Sequence, residues 1–144
     1  MEQERVEQLA SRLHSASIRL LRLLRREDEV SGITAPRLSA LSVVVFSGPL
    51  TMAELAASEQ VRGPTMTRVV DALVADGLAE RIADPADRRI VRVRATEKGR
   101  DLLDSGRRRR VEALTARLNR LADSERRALD RAAELLERIT RQGG

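Results

Sequence analysis

Residues 51–81 read TMAELAASEQVRGPTMTRVVDALVADGLAER, and this stretch decides the fold. Thr51 followed by Glu54 forms the Thr-x-x-Glu pattern of a capping box, which predicts the start of a short helix. The polar segment at 58–64 contains glycine and proline and predicts a turn. Apolar residues at helical spacing then predict a second helix over 64–76. Two helices joined by a short turn are typical of a helix-turn-helix.

The segment that follows predicts an antiparallel hairpin, or wing. Strands are expected at 78–83 and 90–95, on either side of the turn DPADRR at 84–89. The second strand alternates apolar and basic side chains: Val91, Arg92, Val93, Arg94 and Ala95. Because successive side chains of a strand face opposite ways, one face is apolar and the other basic. Two interpretations of the basic face remain open: its arginines follow DNA phosphates, or they pair with nearby acids.

Helices are expected on both sides of this module. Residues 4–27 carry an apolar stripe at helical spacing, and the stripe is long enough to need a partner such as a second copy of the chain. We therefore predict a dimerisation helix at 1–33, a winged helix-turn-helix at 34–100 and C-terminal dimerisation helices at 101–144. The predicted fold class is mainly α with a small β-hairpin wing, that is, α+β.

The composition favours an anionic partner. The formal net charge is +5, and 27 basic residues accompany 22 acidic ones. Almost all the bases are arginine, whose planar guanidinium suits phosphate and guanine. Within residues 35–100, however, ten bases face eight acids, so the net charge there is only +2. Placement of charge, more than its total, has to produce DNA binding.

Several classes of function are disfavoured. The chain has no cysteine and a single histidine, His14, so neither thiol chemistry nor a histidine-rich metal site is expected. We see no nucleophile–histidine–acid set and no phosphate-cradling glycine loop, and we predict neither an enzyme nor a cofactor. No apolar run approaches the roughly 18 residues of a membrane span, and the polar N-terminus differs from a signal peptide. A cytoplasmic location, on the nucleoid when DNA is bound, is expected.

The candidate DNA-contacting residues lie at the starts of the two helices, chiefly the second, and at the wing turn. A helix N-terminus offers free N–H groups and partial positive charge to phosphate, and a recognition helix enters the major groove by this end. The candidates are Thr51, Arg62, Pro64, Thr65, Thr67, Arg68, Arg88 and Arg89. For Thr65 and Thr67, simple helix capping is the alternative. For Arg68, an intrahelical pair with Asp71 would compete with DNA.

Three segments resemble regulators of the multiple-antibiotic-resistance (MarR) family. They are the helix pair at 51–81, the turn DPADRR with Asp87 and Arg89 at the D-x-R wing signature, and RATEKG at 94–99, where Ala95 replaces the more usual leucine. The resemblance implies a homodimer whose two winged modules bind two DNA half-sites. It also implies that Arg89 reaches the minor groove, while Asp87 braces the wing by pairing with Arg81 or Arg89.

The resemblance also implies a dimer interface and an effector site. For the interface, formed by the first and last helices, the candidate residues are Leu9, Leu13, Leu118, Leu129, Leu136 and Ile139. A lipophilic or anionic ligand would bind between these helices and the winged module, with His14, Arg19 and Arg37 as its polar contacts. The predicted function is a homodimeric regulator, a repressor of a pseudo-palindromic operator. The alternatives are a non-specific architectural DNA-binding protein and a winged-helix protein-interaction module.

Overall fold

A computed structural model of the chain describes residues 1–141; residues 142–144, which the predicted C-terminal segment includes, lie outside the described residues. The helices are α1 (Glu2–Asp28), α2 (Ala35–Ser47), α3 (Met52–Ser58), α4 (Gly63–Ala75), α5 (Glu97–Leu118) and α6 (Asp123–Arg141), with a 3-10 turn at Glu29–Ser31. The strands are β1 (Leu50–Thr51), β2 (Ala79–Ala83) and β3 (Val91–Ala95). The predicted class, mainly α with a small β wing, is confirmed.

The chain divides into two compact units, Met1–Arg109 and a second that begins at Arg110. The first unit contains the buried core. In the second unit, helix α6 buries none of its residues in the single chain. No single helix within residues 1–141 is long and apolar enough to cross a bilayer; one pair, Glu2–Ser31 with Ala35–Ser47, reaches that length and hydropathy together but is bent by 91°.

The core of the first unit is built from small and branched aliphatic residues and one methionine, because aromatic residues are nearly absent from the chain. Helices α2, α3 and α4 pack their apolar faces on one another and on the sheet. The buried residues are Ala40, Leu41, Val44, Leu55, Ala56, Met66, Val70, Leu73, Leu78, Ala79, Val93 and Ala95. Phe46, the one aromatic residue, is 82% exposed and takes no part in this core.

The predicted hairpin is present, within a sheet that has one more strand. Strands β2 and β3 pair antiparallel from Ala79 opposite Ala95 to Ala83 opposite Val91. Strand β1, which the sequence did not predict, adds to the other edge of β3 and gives the order β1-β3-β2. The apolar face predicted for β3 is buried at Val93 and Ala95, whereas Val91 lies at the strand end and is 45% exposed.

The predicted capping box is confirmed, and the other helix ends differ in how they are capped. Thr51 forms the full capping box with Glu54, and Gly77 follows α4 with φ +72°, a left-handed conformation that favours glycine. Thr34 stands at the start of α2 without a side-chain capping bond. In the helix-turn-helix turn, the residue with positive φ is Gln60 and not a glycine.

Gly99 is buried at a close approach between α5 and the chain before β2. A Cβ on Gly99 would lie 2.1 Å from the carbonyl oxygen of Leu78. That carbonyl also accepts a hydrogen bond from the Thr96 N–H at 3.0 Å. Glycine is therefore required for packing at this position.

Candidate nucleic-acid interface

Helix α4 presents one face and buries the other. Met66, Val70 and Leu73 fix the helix in the core. Its start, from Arg62 to Arg68, is otherwise exposed, with Pro64 in the first turn, where its missing N–H costs nothing. The first-turn N–H groups and the exposed side chains thus share one surface, which we call the α4 start. This arrangement suits an anion.

The two threonines of the α4 start differ in their hydrogen bonding. Thr67 Oγ1 donates to the carbonyl of Gly63 at 3.0 Å, so the hydroxyl hydrogen is used within the helix. Thr65 is exposed and has no side-chain partner in the described chain. Thr51, at the start of α3, accepts from the Glu54 N–H at 3.2 Å, and Glu54 accepts from the Thr51 N–H at 2.8 Å. Thr51 thus has a structural role as a helix cap.

Ion pairs occupy many arginines of the module but not those of the α4 start. Asp71 pairs with Arg81 of β2 at 2.5 Å, and not with Arg68. Arg62 and Arg68 have no side-chain partner within residues 1–141, and the same is true of Arg88 at the wing turn. The contact that would have competed with DNA for Arg68 is therefore absent from the described chain.

The basic face of β3 follows the acid-pairing interpretation. Arg94 pairs with Glu80 across the β2–β3 ladder at 2.5 Å. Arg92 pairs with Asp84 in the wing turn and lies 3.4 Å from Glu54. Neither arginine is a free phosphate contact in this structure.

At the wing tip, Asp87 holds Arg89. The Arg89 Nε donates to Oδ1 of Asp87 at 3.0 Å and Nη2 donates to Oδ2 at 2.9 Å, while the Arg89 N–H also donates to Oδ1 at 3.1 Å. These bonds hold the pKa of Asp87 below its usual range. The Arg89 side chain is still 90% exposed. Asp87 therefore orients an arginine that projects from the surface, and Arg81 pairs elsewhere.

The turn before the tip is organised by Asp84. Its Oδ1 accepts from the N–H groups of Ala86 and Asp87 at 2.8 and 3.2 Å, while Arg92 holds its other oxygen. The bond from Arg92, followed by the two backbone bonds, holds the pKa of Asp84 below its usual range. The sequence predicted only that Asp84 starts the turn. Its link to Arg92, eight residues on, could have been found from the hairpin register.

The predicted ligand residues are not gathered at one place, and one of them, Arg19, lines an open cavity on α1 beside the predicted interface residues Leu9 and Leu13. The six apolar interface candidates are all exposed in the single chain. His14 and Arg19 lie on exposed faces of α1, whereas Arg37 pairs with Asp76 at 3.6 Å. A cavity of about 320 Å³ is lined by Ser31, Lys98, Asp101, Leu102, Ser105 and Arg109. None of the three ligand candidates lines it, and residues 1–141 contain no group of acids and histidine suited to a metal ion.

A short capped helix, a turn, a core-anchored helix with an exposed start and a three-stranded wing define a winged helix-turn-helix, a class of DNA-binding domain. The family model described as "MarR family" matches residues 31–90. The chain is 41% identical over 128 residues to an uncharacterized HTH-type transcriptional regulator, Mb0904 of Mycobacterium bovis, and the match spans 89% of this chain and 90% of that protein. The chain therefore belongs to the MarR family, whose members are DNA-binding transcriptional regulators and not enzymes.

Solved structures share the fold over nearly the whole chain. The crystal structure of RV1404 from Mycobacterium tuberculosis aligns with a TM-score of 0.80 and 28% identity, over 96% of this chain and 94% of that one. A single-residue mutant of MepR from S. aureus, solved bound to an oligodeoxyribonucleotide, aligns with a TM-score of 0.71 over 93% of this chain and 97% of that one. At 19% identity, the second likeness is one of fold alone.

Proposed function

We propose that the protein is a homodimeric, sequence-specific regulator that represses transcription by binding a pseudo-palindromic operator. The observation that carries this proposal is the placement of arginines without partners. Among residues 1–141, Arg62 and Arg68 at the α4 start and Arg88 at the wing turn stay unpaired, in a module where six of the eight acids are held by arginines. A module with a net charge of only +2 thus has three of its four unpaired arginines at the α4 start and the wing turn, and the fourth, Arg100, lies in α5.

Each part of this surface has a proposed role in DNA binding. The α4 start enters the major groove, where Arg62 and Arg68 contact phosphate or guanine and Thr65 contacts phosphate or base edges. Arg89, with Arg88 beside it, enters the minor groove, whose negative potential favours arginine. Arg81 acts indirectly, because its pair with Asp71 joins β2 to α4.

The exposed apolar faces of the terminal helices support a homodimer. Helix α1 buries no residue in the single chain, although Leu9 and Leu13 lie on its apolar stripe. Helix α6 also buries none and exposes Leu129, Leu136 and Ile139, and α5 exposes Leu118 at its end. Burying one such side chain is worth roughly 1.5–3 kcal/mol. A second copy of the chain would cover these faces and place two winged modules on half-sites about 10 bp apart.

We also propose that a small lipophilic or anionic molecule releases the operator. The cavity next to the start of α5 supports such a site, since Lys98 and Arg109 line it together with Leu102. His14, Arg19 and Arg37 remain candidate contacts, although the single chain does not gather them around this cavity. A protein that regulates transcription in this way is expected in the cytoplasm, on the nucleoid when it binds DNA.

Selection of bound duplexes from a random pool, at a stated salt concentration, tests the proposal. We expect a pseudo-palindromic consensus with two half-sites. Equal affinity for a scrambled duplex, with a steep salt dependence, would instead indicate an architectural DNA-binding protein. No enrichment of any sequence and no binding at low salt would favour a protein-interaction module.

A further inference from the structure

Arg92 lies at the centre of a chain of contacts that runs from α3 to the wing tip. It stands on the central strand of the sheet, opposite Thr51 of β1 on one side and Ile82 of β2 on the other. Its Nε donates to Oδ2 of Asp84, and its Nη1 donates to Oε2 of Glu54 at 3.4 Å. A single guanidinium therefore joins the wing turn to the first helix of the helix-turn-helix.

The chain of contacts continues from Asp84 to the exposed arginine at the tip. Asp84 is only 8% exposed, and its second oxygen accepts from the N–H of Asp87 at 3.2 Å. The Asp87 carboxylate in turn holds Arg89. At the other end, the Glu54 oxygen that contacts Arg92 also accepts from the N–H of Thr51 at 2.8 Å, so it is fixed by the α3 cap. Arg92, Asp84 and Asp87 thus each contact the residue before and the residue after them in this series, which runs from Glu54 at the α3 cap to Arg89 at the wing tip.

We propose that Arg92 is a positioning residue for DNA binding, which holds the wing turn, and through it Arg89, in a fixed place relative to the helix-turn-helix. The inference rests on the proposed function, in which Arg89 contacts DNA. It differs from the simpler interpretation that the basic face of β3 binds phosphate directly. In this account Arg92 never touches the DNA.

Burial and pairing both argue against a direct phosphate contact. The Arg92 side chain is 29% exposed and faces two carboxylates, whereas Arg89 is 90% exposed. A phosphate that recruited Arg92 would leave Asp84 buried without its charge partner, which is strongly unfavourable. Arg92 also holds the pKa of Asp84 below its usual range, so the carboxylate is charged at neutral pH. The ion pair is thus an integral part of the wing.

A double-mutant cycle on the DNA duplex selected from the random pool tests the proposal. We expect Arg89→Ala to raise the Kd on the order of tenfold, the scale of one specific contact. Arg92→Gln should raise the Kd by a similar factor, because the wing turn is released from α3. The variant with both substitutions should lose clearly less affinity than the sum of the two single losses, since Arg92 acts through the wing turn that carries Arg89 and Arg88.

Two further variants separate a positioning role from loss of charge. Arg92→Lys keeps the charge but has no fork to span two carboxylates, so it should lose as much affinity as Arg92→Gln. Arg94→Gln is the matched control: it removes an arginine on the same face of β3 that pairs with Glu80, and it should change the Kd by less than about twofold.

Glu54→Gln provides a variant that preserves the fold, should Arg92→Gln melt at a lower temperature. A glutamine can still accept the Thr51 N–H and so retains the capping box, but it no longer attracts Arg92 as a charge. We expect a rise in Kd of about twofold to fivefold, and this rise should be smaller in the Arg89→Ala background. Circular dichroism of each variant establishes that the helices are intact.

The outcomes distinguish this inference from the proposed function. Additive losses for Arg89→Ala and Arg92→Gln, with a salt slope that falls by about one, would show a phosphate contact and overturn the inference. Wild-type affinity for Arg92→Gln, with a loss for Arg89→Ala, would overturn the inference alone. Wild-type affinity for Arg89→Ala would overturn both the inference and the wing contact in the proposed function.

Discussion

At the scale of single residues, the positive charge that is available to a ligand depends more on which arginines have acidic partners than on how many arginines there are. Arg81 and Arg94 are held by acids on neighbouring elements, whereas Arg62 and Arg68 are unpaired within residues 1–141. The sequence predicted which arginines lie at the α4 start, because the helix pattern positions them. It left the pairing of Asp71 open, because the choice of Arg81 over Arg68 depends on how β2 packs beside α4.

Gly99 offers a test of the fold at this scale. Gly99→Ala places a methyl group 2.1 Å from the Leu78 carbonyl oxygen, so α5 or the chain before β2 must move. We expect a loss in the free energy of unfolding of about 1–3 kcal/mol or more. Urea denaturation measures the change.

Gly63→Ala is the matched control for this substitution. Gly63 is also helical, but nothing lies within 4 Å of the site of its added Cβ. Alanine should leave stability unchanged or raise it by roughly 0.5–1 kcal/mol, because it restricts the unfolded chain. Equal effects at Gly63 and Gly99 would contradict the close approach assigned to Gly99.

At the scale of elements, the helices and the hairpin could be predicted from periodicity, capping patterns and turn residues. Strand β1 could not, because it has only two residues and immediately precedes the first helical residue of α3. The contact between Arg92 and Glu54 was missed for the same reason. Its bridge to Glu54 depends on β1 and β3 being adjacent, and no local pattern in the sequence reports that pairing.

A substitution in helix α6 tests the proposed dimer. Leu136→Asp puts a charge in the middle of the exposed apolar stripe, and it should shift the protein from dimer to monomer, since burying an unpaired carboxylate in the interface is strongly unfavourable. Sedimentation velocity or light scattering at micromolar concentration measures the mass.

Arg127→Asp serves as the control for the α6 variant. It adds a carboxylate to the same helix, but on the face opposite Leu129 and Leu136 by helical periodicity. This variant should remain a dimer. A dimeric mass for Leu136→Asp would contradict the assignment of α6 to the interface.

At the scale of the whole molecule, sequence similarity and fold agree on a DNA-binding regulator of the MarR family. The resemblance could be recognised from three short segments, since together they cover the helix pair, the wing turn and the strand-to-helix junction. The residues of the effector site could not be predicted from the sequence in the same way. Its candidate residues came from distant parts of the chain, and the structure of one chain places Arg37 with Asp76 instead.

The central claim is that unpaired arginines at the α4 start and the wing turn bind DNA. Its most direct test is the Kd and salt slope of Arg68→Ala and Arg88→Ala, with Arg100→Ala as control. Arg100 is also exposed and without a side-chain partner in the described residues. It lies in α5, which follows β3, whereas the wing turn precedes β3. We predict that Arg68→Ala and Arg88→Ala each weaken binding by about 1–3 kcal/mol or reduce the salt slope by about one, while Arg100→Ala binds like the wild type. Equal, small losses for all three variants would contradict the claim.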